Sequence, residues 1–170
     1  MTKERLYLFD TTLRDGAQTA GIEFSLEDKI AVTALIEQLG VDYLEGGYPG
    51  ANPVDTEFFA QDRTQSAIFT AFGMTKRAGR SVGNDPGLQE LLNSSAKAIC
   101  YVAKAWDHQV ELALGIKPSE NVKSVTQSVE AAVAATRPGR ACQRLERPAH
   151  ADDLGAAPPR GSTGRDPRLR

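Results

Sequence analysis

Three features of this 170-residue chain predict an α/β fold with a parallel sheet. Short apolar runs with strand propensity begin near residues 6, 41, 67 and 97, a recurrence close to the ~30 residues of a βαβ element. Each run is followed by a segment with helical periodicity or helix-cap chemistry, and strand alternating with helix implies right-handed parallel crossovers. The fourth run, Ala98-Ile-Cys-Tyr-Val102, is continuously apolar, as a strand buried on both faces requires. Four βα units, half of a closed barrel, are predicted.

The first strand is expected from Leu6 to about Asp10. Ser25, with Asp28 three residues on, has capping-box spacing and opens a helix. Leu26, Ile30, Ala34, Leu35 and Leu39 fall on roughly one of its faces, and Gly40 ends it. Val41 to Glu45 is the second strand, and Gly46 to Ala51 the loop after it. Asn52-Pro53 is an N-cap with proline in the first turn of a helix reaching about Thr64. Ala67 to Phe72 is the third strand, and a basic loop with Lys76, Arg77 and Arg80 follows it. Asp85-Pro86 caps a helix ending near Asn93. After the fourth strand, Trp106 to Leu114 reads as helical. A last helix from about Ser119 carries a stripe of Val122, Val125, Val129 and Val133.

Composition bounds the function. A net charge of −2 and a pI near 5.7 give no reason to expect nucleic-acid or anionic-membrane partners. No apolar segment approaches the ~20 residues of a transmembrane helix, and no signal-peptide core follows Met1, so a cytoplasmic location is expected. Cys100 and Cys142 define no disulfide framework, and two histidines make no zinc constellation with them. Cys100, inside an apolar run, reads as a small core residue.

Chemistry concentrates in Asp10-Thr-Thr-Leu-Arg-Asp-Gly-Ala-Gln18, where a strand gives way to a loop. At the carboxyl end of a parallel strand, reactive groups collect. Arg14 is a permanent cation with a planar donor fork, and Asp15 beside it is a hard oxygen ligand. Gly16 is expected to let the chain turn through its tolerance of positive φ. An arbitrary Arg-Asp is a charged pair in a surface turn; the complete nonapeptide sets this one apart.

Those nine residues resemble the signature of the metal-dependent TIM-barrel lyases and acyltransferases. The superfamily includes 2-isopropylmalate, homocitrate and citramalate synthases and hydroxymethylglutaryl-CoA lyase. Phe24-Ser-Leu-Glu-Asp-Lys-Ile30, Gly40-Val-Asp-Tyr-Leu-Glu-Gly-Gly-Tyr-Pro-Gly50, Asn52-Pro53 and Asp55-Thr-Glu-Phe-Phe59 are most similar to the citramalate synthase branch. The resemblance runs from about Leu6 to about Ala135. It implies a partial (β/α)8 TIM barrel of about four βα units, since a complete one needs ~250 residues.

It also implies a reaction: acetyl-CoA condenses with an α-keto acid, pyruvate in this branch, in branched-chain amino-acid biosynthesis. By the resemblance Asp15 is a ligand to Mg²⁺, Mn²⁺ or Zn²⁺. Arg14 stabilises charge developing on the keto oxygen, Glu45 holds Arg14 and the substrate, and Gln18 is a substrate-binding amide. The bland alternative for Glu45 is a carboxylate capping a glycine-rich loop. Coenzyme A phosphates could meet Lys76, Arg77 and Arg80, although a solvated loop is the commoner meaning of such charges. At Lys104-Ala-Trp-Asp-His-Gln109 the chain departs from the family pattern, so His108 is expected to play no part. Remaining readings are a 2-isopropylmalate or homocitrate synthase, a carbon–carbon lyase of the same superfamily, or a non-catalytic remnant. The family's His-x-His ligands come from later strands, and the family is homodimeric. This chain alone is therefore expected to bind metal feebly and to release no CoA from acetyl-CoA and pyruvate, which a thiol-release assay checks.

At Arg137 the composition changes. Residues 137–170 hold eight arginines, no lysine, five prolines, and no Val, Ile, Phe, Tyr, Trp or Met. Too little apolar surface is present to offset ordering entropy, so a disordered Arg/Pro/Ala/Gly-rich tail is predicted beyond a 1–136 half-barrel domain. A reading-frame change in a GC-rich gene accounts for that mixture. An intact frame on resequencing the locus would refute it.

Overall fold

The computed structural model describes residues 5–135; the predicted tail, 137–170, lies outside them. Four parallel strands form one sheet in the order β1-β2-β3-β4: β1 (Phe9–Asp10), β2 (Tyr43–Gly47), β3 (Ile68–Met74) and β4 (Ala98–Val102). Between and after them come helices α1 (Leu26–Gln38), α2 (Pro53–Phe58), α3 (Pro86–Asn93), α4 (Asp107–Gln109) and α5 (Pro118–Ala134). The parallel α/β architecture expected from the sequence is the one observed.

Local chemistry sets the helix starts. At α1 the capping box closes fully: Ser25 Oγ accepts from Asp28 N at 3.1 Å while Asp28 Oδ2 accepts from Ser25 N at 3.0 Å. Those bonds also hold the Asp28 carboxyl below its usual pKa. Asn52 Oδ1 accepts from Asp55 N at 2.7 Å and Asp85 Oδ1 from Leu88 N at 3.0 Å, each ahead of a proline.

The core lies between the sheet and the helices. Leu44, Phe69 and Ala71 point from β2 and β3 onto Ile36 of α1, Phe58 of α2 and Leu91 of α3. Phe69 is fully buried, stacked on Phe59 at 4.4 Å between ring centroids and edge-on to Phe58 at 5.4 Å. Strand alternation sends Tyr43, Glu45, Thr70, Phe72 and Cys100 to the opposite face.

Several boundaries and faces differ from the sequence expectation. β1 pairs only over Phe9–Asp10, and Leu6, Tyr7 and Leu8 before it are exposed. Helix α2 ends at Phe58 rather than Thr64, because Phe58 and Phe59 must both turn into the core. On α1 the buried positions are Lys29, Thr33 and Ile36, whereas Ile30, Ala34, Leu35 and Leu39 are exposed. On α5 the buried positions are Asn121, Ser124 and Ser128, while Val122, Val129 and Val133 are exposed. Both helices are rotated so that satisfied polar groups face inward. Ser128 Oγ accepts from Lys76 N at 2.9 Å, and Asn121 Nδ2 donates to the Lys104 carbonyl at 2.8 Å. Strand β4 is only partly buried, and Cys100 lies half-buried on the helix-free face rather than in the packed core. The stretch from Asp107 to Leu114 is helical as expected but closes on a π-type turn over Val110–Leu114, ended by Gly115.

Candidate functional site

The loop after β1 is shaped by one carbonyl. Thr11 O accepts from the backbone N–H groups of Arg14, Asp15 and Gly16 at 3.0, 2.8 and 3.3 Å, and a 3₁₀ turn over Gly16–Gln18 follows. Asp10 fixes the entry, its carboxylate accepting from Thr12 N and Thr12 Oγ1 at 2.9 and 3.0 Å. Gly16 does not adopt the positive φ expected of it; its added Cβ would meet Thr12 Cγ2 at an ordinary 3.6 Å. A carbonyl-centred helical turn reverses the chain instead.

That turn aims Arg14 at the end of β2. Arg14 Nε donates to Glu45 Oε2 at 2.9 Å, and its Nη1 lies 2.5 Å from Asp15 Oδ1. The guanidinium carbon sits 3.8 Å from the Phe72 ring centroid, so an aromatic face supports the cation from β3. Glu45 is 1 % exposed, while the Asp15 side chain is 52 % exposed. One carboxylate thus clamps the arginine from within, and the other faces outward. On the same face, Cys100 of β4 meets Glu45: burial, then the Glu45 charge and hydrogen bond, push its thiol up to about 11. At neutral pH that thiol is protonated and inert as a nucleophile.

A cavity of about 550 Å³ adjoins Arg14, with Gln18, Phe24, Tyr48, Asn52 and Phe72 in its wall together with Lys29 and Asp55. Its size and mixed aromatic and polar lining suit a small organic ligand. The loop residues Lys76, Arg77 and Arg80 are not in that wall. Lys76 is buried, its ammonium donating to the Arg80 carbonyl at 2.8 Å, and Arg77 alone of the three is exposed. His108 is exposed and rests against Trp106, its ring centroid 5.1 Å from the indole.

A second ionic cluster joins α1 to α2 on the helix side of β2. Lys29 from α1 and Asp55 from α2 form a buried ion pair. Lys29 Nζ also donates to the carbonyls of Leu13 and Gly46 at 3.1 and 2.8 Å, and Asp55 Oδ2 accepts from Tyr48 N at 2.9 Å. The paired glycines ending β2 fit this packing. A Cβ on Gly46 would meet the Phe58 and Phe69 rings at 2.7 and 2.8 Å. On Gly47, whose φ is +143°, it would meet the Asp55 carboxylate at 2.6 Å. A signal was present: Leu26, Lys29, Thr33 and Ile36 follow helical spacing, but a lysine and a threonine hide the stripe.

Among the described residues no group of three or more His, Cys, Asp and Glu is placed to hold a metal ion. No described helix is long and apolar enough to cross a membrane. The family model described as HMGL-like matches residues 5–146. The (R)-citramalate synthase of Streptomyces coelicolor is 45% identical over 130 residues, covering 74% of this chain and 24% of that protein. That of Aquifex aeolicus is 39% identical over 130 residues, 75% of this chain and 25% of that protein. The 2-isopropylmalate synthase of Methylorubrum populi is 31% identical over 146 residues, 79% of this chain and 28% of that protein. The chain spans about a quarter of the length of the curated relatives it matches.

Proposed function

This chain belongs to the HMGL-like family, and we propose that it is the keto-acid-facing part of a citramalate synthase-type acyltransferase. In that reading a carbon–carbon bond forms between the methyl carbon of acetyl-CoA and the keto carbon of pyruvate, and the thioester is then hydrolysed to release CoA. The observation that carries the proposal is the 2.9 Å Arg14–Glu45 bond joining two neighbouring strand ends beside a cavity, with Asp15 turned outward.

Arg14 has donors to spare. Nε is committed to Glu45 and Nη1 to Asp15, which leaves guanidinium N–H groups for an oxygen that gains charge during condensation. Glu45 and Phe72 hold the guanidinium from two sides, so its donors are aimed before substrate arrives. Gln18, at the cavity wall, supplies an amide that can orient the keto acid's carboxylate. Asp15 suits one ligand position of a divalent metal: it is a hard oxygen donor, half exposed, with only one oxygen facing Arg14. With Asp15 as one of its ligands, a bound divalent ion would supply Lewis-acid polarisation of the keto group. Mg²⁺, Mn²⁺ and Zn²⁺ all accept carboxylate oxygen, and Asp15 does not choose among them. The base that takes the acetyl methyl proton is assigned to none of the described residues.

The citramalate reading rests on higher identity, 45% and 39% against 31% for the 2-isopropylmalate synthase. A chimera tests both: residues 6–135 replace the corresponding segment of the Streptomyces coelicolor enzyme, and CoA release is followed with pyruvate or a branched α-keto acid. Pyruvate-dependent release is expected, with Arg14→Lys lowering kcat by about 10²–10³-fold. A folded chimera that prefers the branched acid would favour the isopropylmalate reading. One that releases no CoA with either acid would overturn the proposal.

A further inference from the structure

We infer that Lys29 is a positioning residue: from behind β2, its ammonium sets the register between the loop carrying Arg14 and the strand end carrying Glu45. The paired part of β1 is short, and its ladder with β2 ends at Asp10 opposite Leu44. Beyond that point the Arg14 loop and the tip of β2 are separate pieces of backbone. Lys29 Nζ bridges them, donating to Leu13 O at 3.1 Å and Gly46 O at 2.8 Å. Leu13 is the residue before Arg14, and Gly46 is the residue after Glu45. Asp55 takes the third donor and, through Tyr48 N at 2.9 Å, anchors the chain just past Gly47.

An ammonium has three donors, and here all three are engaged in a pocket that leaves its side chain 4 % exposed. Burying that charge carries a desolvation cost that an apolar side chain of the same volume would avoid. Stability alone therefore gives no reason for a lysine among core positions of α1. A tripod of directed bonds does something a methionine cannot: it fixes two carbonyls at a set separation. Because peptide units are rigid, holding those carbonyls constrains where the Arg14 and Glu45 side chains leave the backbone.

The term positioning rests on the proposed roles of Arg14 and Glu45, but the test reads only their hydrogen bond, so each idea can fail without the other. The reporter is the Arg14 Nε–H signal of the ¹⁵N-labelled full chain, assigned with Arg14→Lys, and its exchange with solvent. Lys29→Met combined with Asp55→Asn removes both buried charges and keeps an acceptor for Tyr48 N. It is expected to unfold cooperatively while Arg14 Nε–H exchanges at least about tenfold faster. Asp55→Asn alone retains both carbonyl bonds and should leave that exchange near its original rate. Ile36→Val, a core change away from the tripod, should lower the urea midpoint without moving the signal. Unchanged Arg14 protection in the folded double variant overturns the inference, as does equal loss in Ile36→Val. Should the double variant not fold, the unmodified chain decides. In sub-denaturing urea the Lys29 ammonium and Arg14 Nε–H should lose protection together; Arg14 opening while Lys29 stays protected would contradict the proposal.

Discussion

Strand β2 separates two cation–carboxylate pairs of opposite character. On the helix side, Lys29 and Asp55 reach the cavity wall but are almost wholly buried, and every Lys29 donor has a protein acceptor. On the other side, Arg14 lines the same cavity but has one buried carboxylate in Glu45 and one exposed one in Asp15, with donors left over. A saturated buried network serves geometry; an unsaturated one at a rim has donors and acceptors left for a ligand. Glu45 and Gly46, adjacent residues, belong one to each cluster, so a single strand end couples them.

The largest effect is expected where the buried pair is broken from one side. Lys29→Met leaves Asp55 buried without its cation and should cost about 3–5 kcal/mol, read from urea denaturation. A cost near that of an exposed substitution would mean the buried pair does not carry the structure.

Next comes Gly47→Ala. Its φ of +143° and the contact with the Asp55 carboxylate predict about 1–3 kcal/mol of destabilisation. Combined with Asp55→Ala the two losses should sum to less than their separate values, because the clash disappears with the carboxylate. Strict additivity would place the strain in the backbone alone.

A smaller effect sharpens the other side of the strand. The Cys100 thiol is raised from 9.0 to about 11 by burial and by the Glu45 carboxylate. Below pH 9 the thiol is protonated folded or unfolded, and its contribution to stability is fully present. Between 9 and about 11 the unfolded chain ionises first, so stability falls as pH rises through that window. Glu45→Gln removes the neighbouring negative charge and should shift the end of the window downward. Burial, the larger cause, should keep it above 9. Alkylation of the Cys100-containing peptide against pH, followed by mass spectrometry, measures the shift; no movement would place Glu45 electrostatically apart from Cys100.

How much was readable from the sequence follows the same division. Caps at Ser25, Asn52 and Asp85 were legible because a cap is settled within four residues. Strand β4 was legible to the residue, from an apolar run between breakers. The proximity of Arg14 and Glu45 could be anticipated because parallel topology brings successive strand ends together. The buried faces of α1 and α5 could not. Which stripe faces the sheet depends on helix rotation; Lys29 and Ser128 face inward with partners on other segments, and Thr33 and Ser128 also donate to carbonyls of their own helices four residues back. Valines 122, 129 and 133 have the better apolar spacing and lie outside. The role of Lys29 could not be read locally, since its acceptors sit 16, 17 and 26 residues away.

The smallest change in stability carries the most direct test. Asp15→Asn alters an exposed side chain and should move the urea midpoint by no more than about 0.5 kcal/mol. In the chimera described above, Mn²⁺ binding followed by electron paramagnetic resonance should weaken by about 10–100-fold in the same variant. Loss of affinity with the fold intact is what an exposed, unsaturated pair predicts. Unchanged Mn²⁺ affinity, or affinity lost only in step with stability, would contradict the assignment of chemistry to that side of the strand.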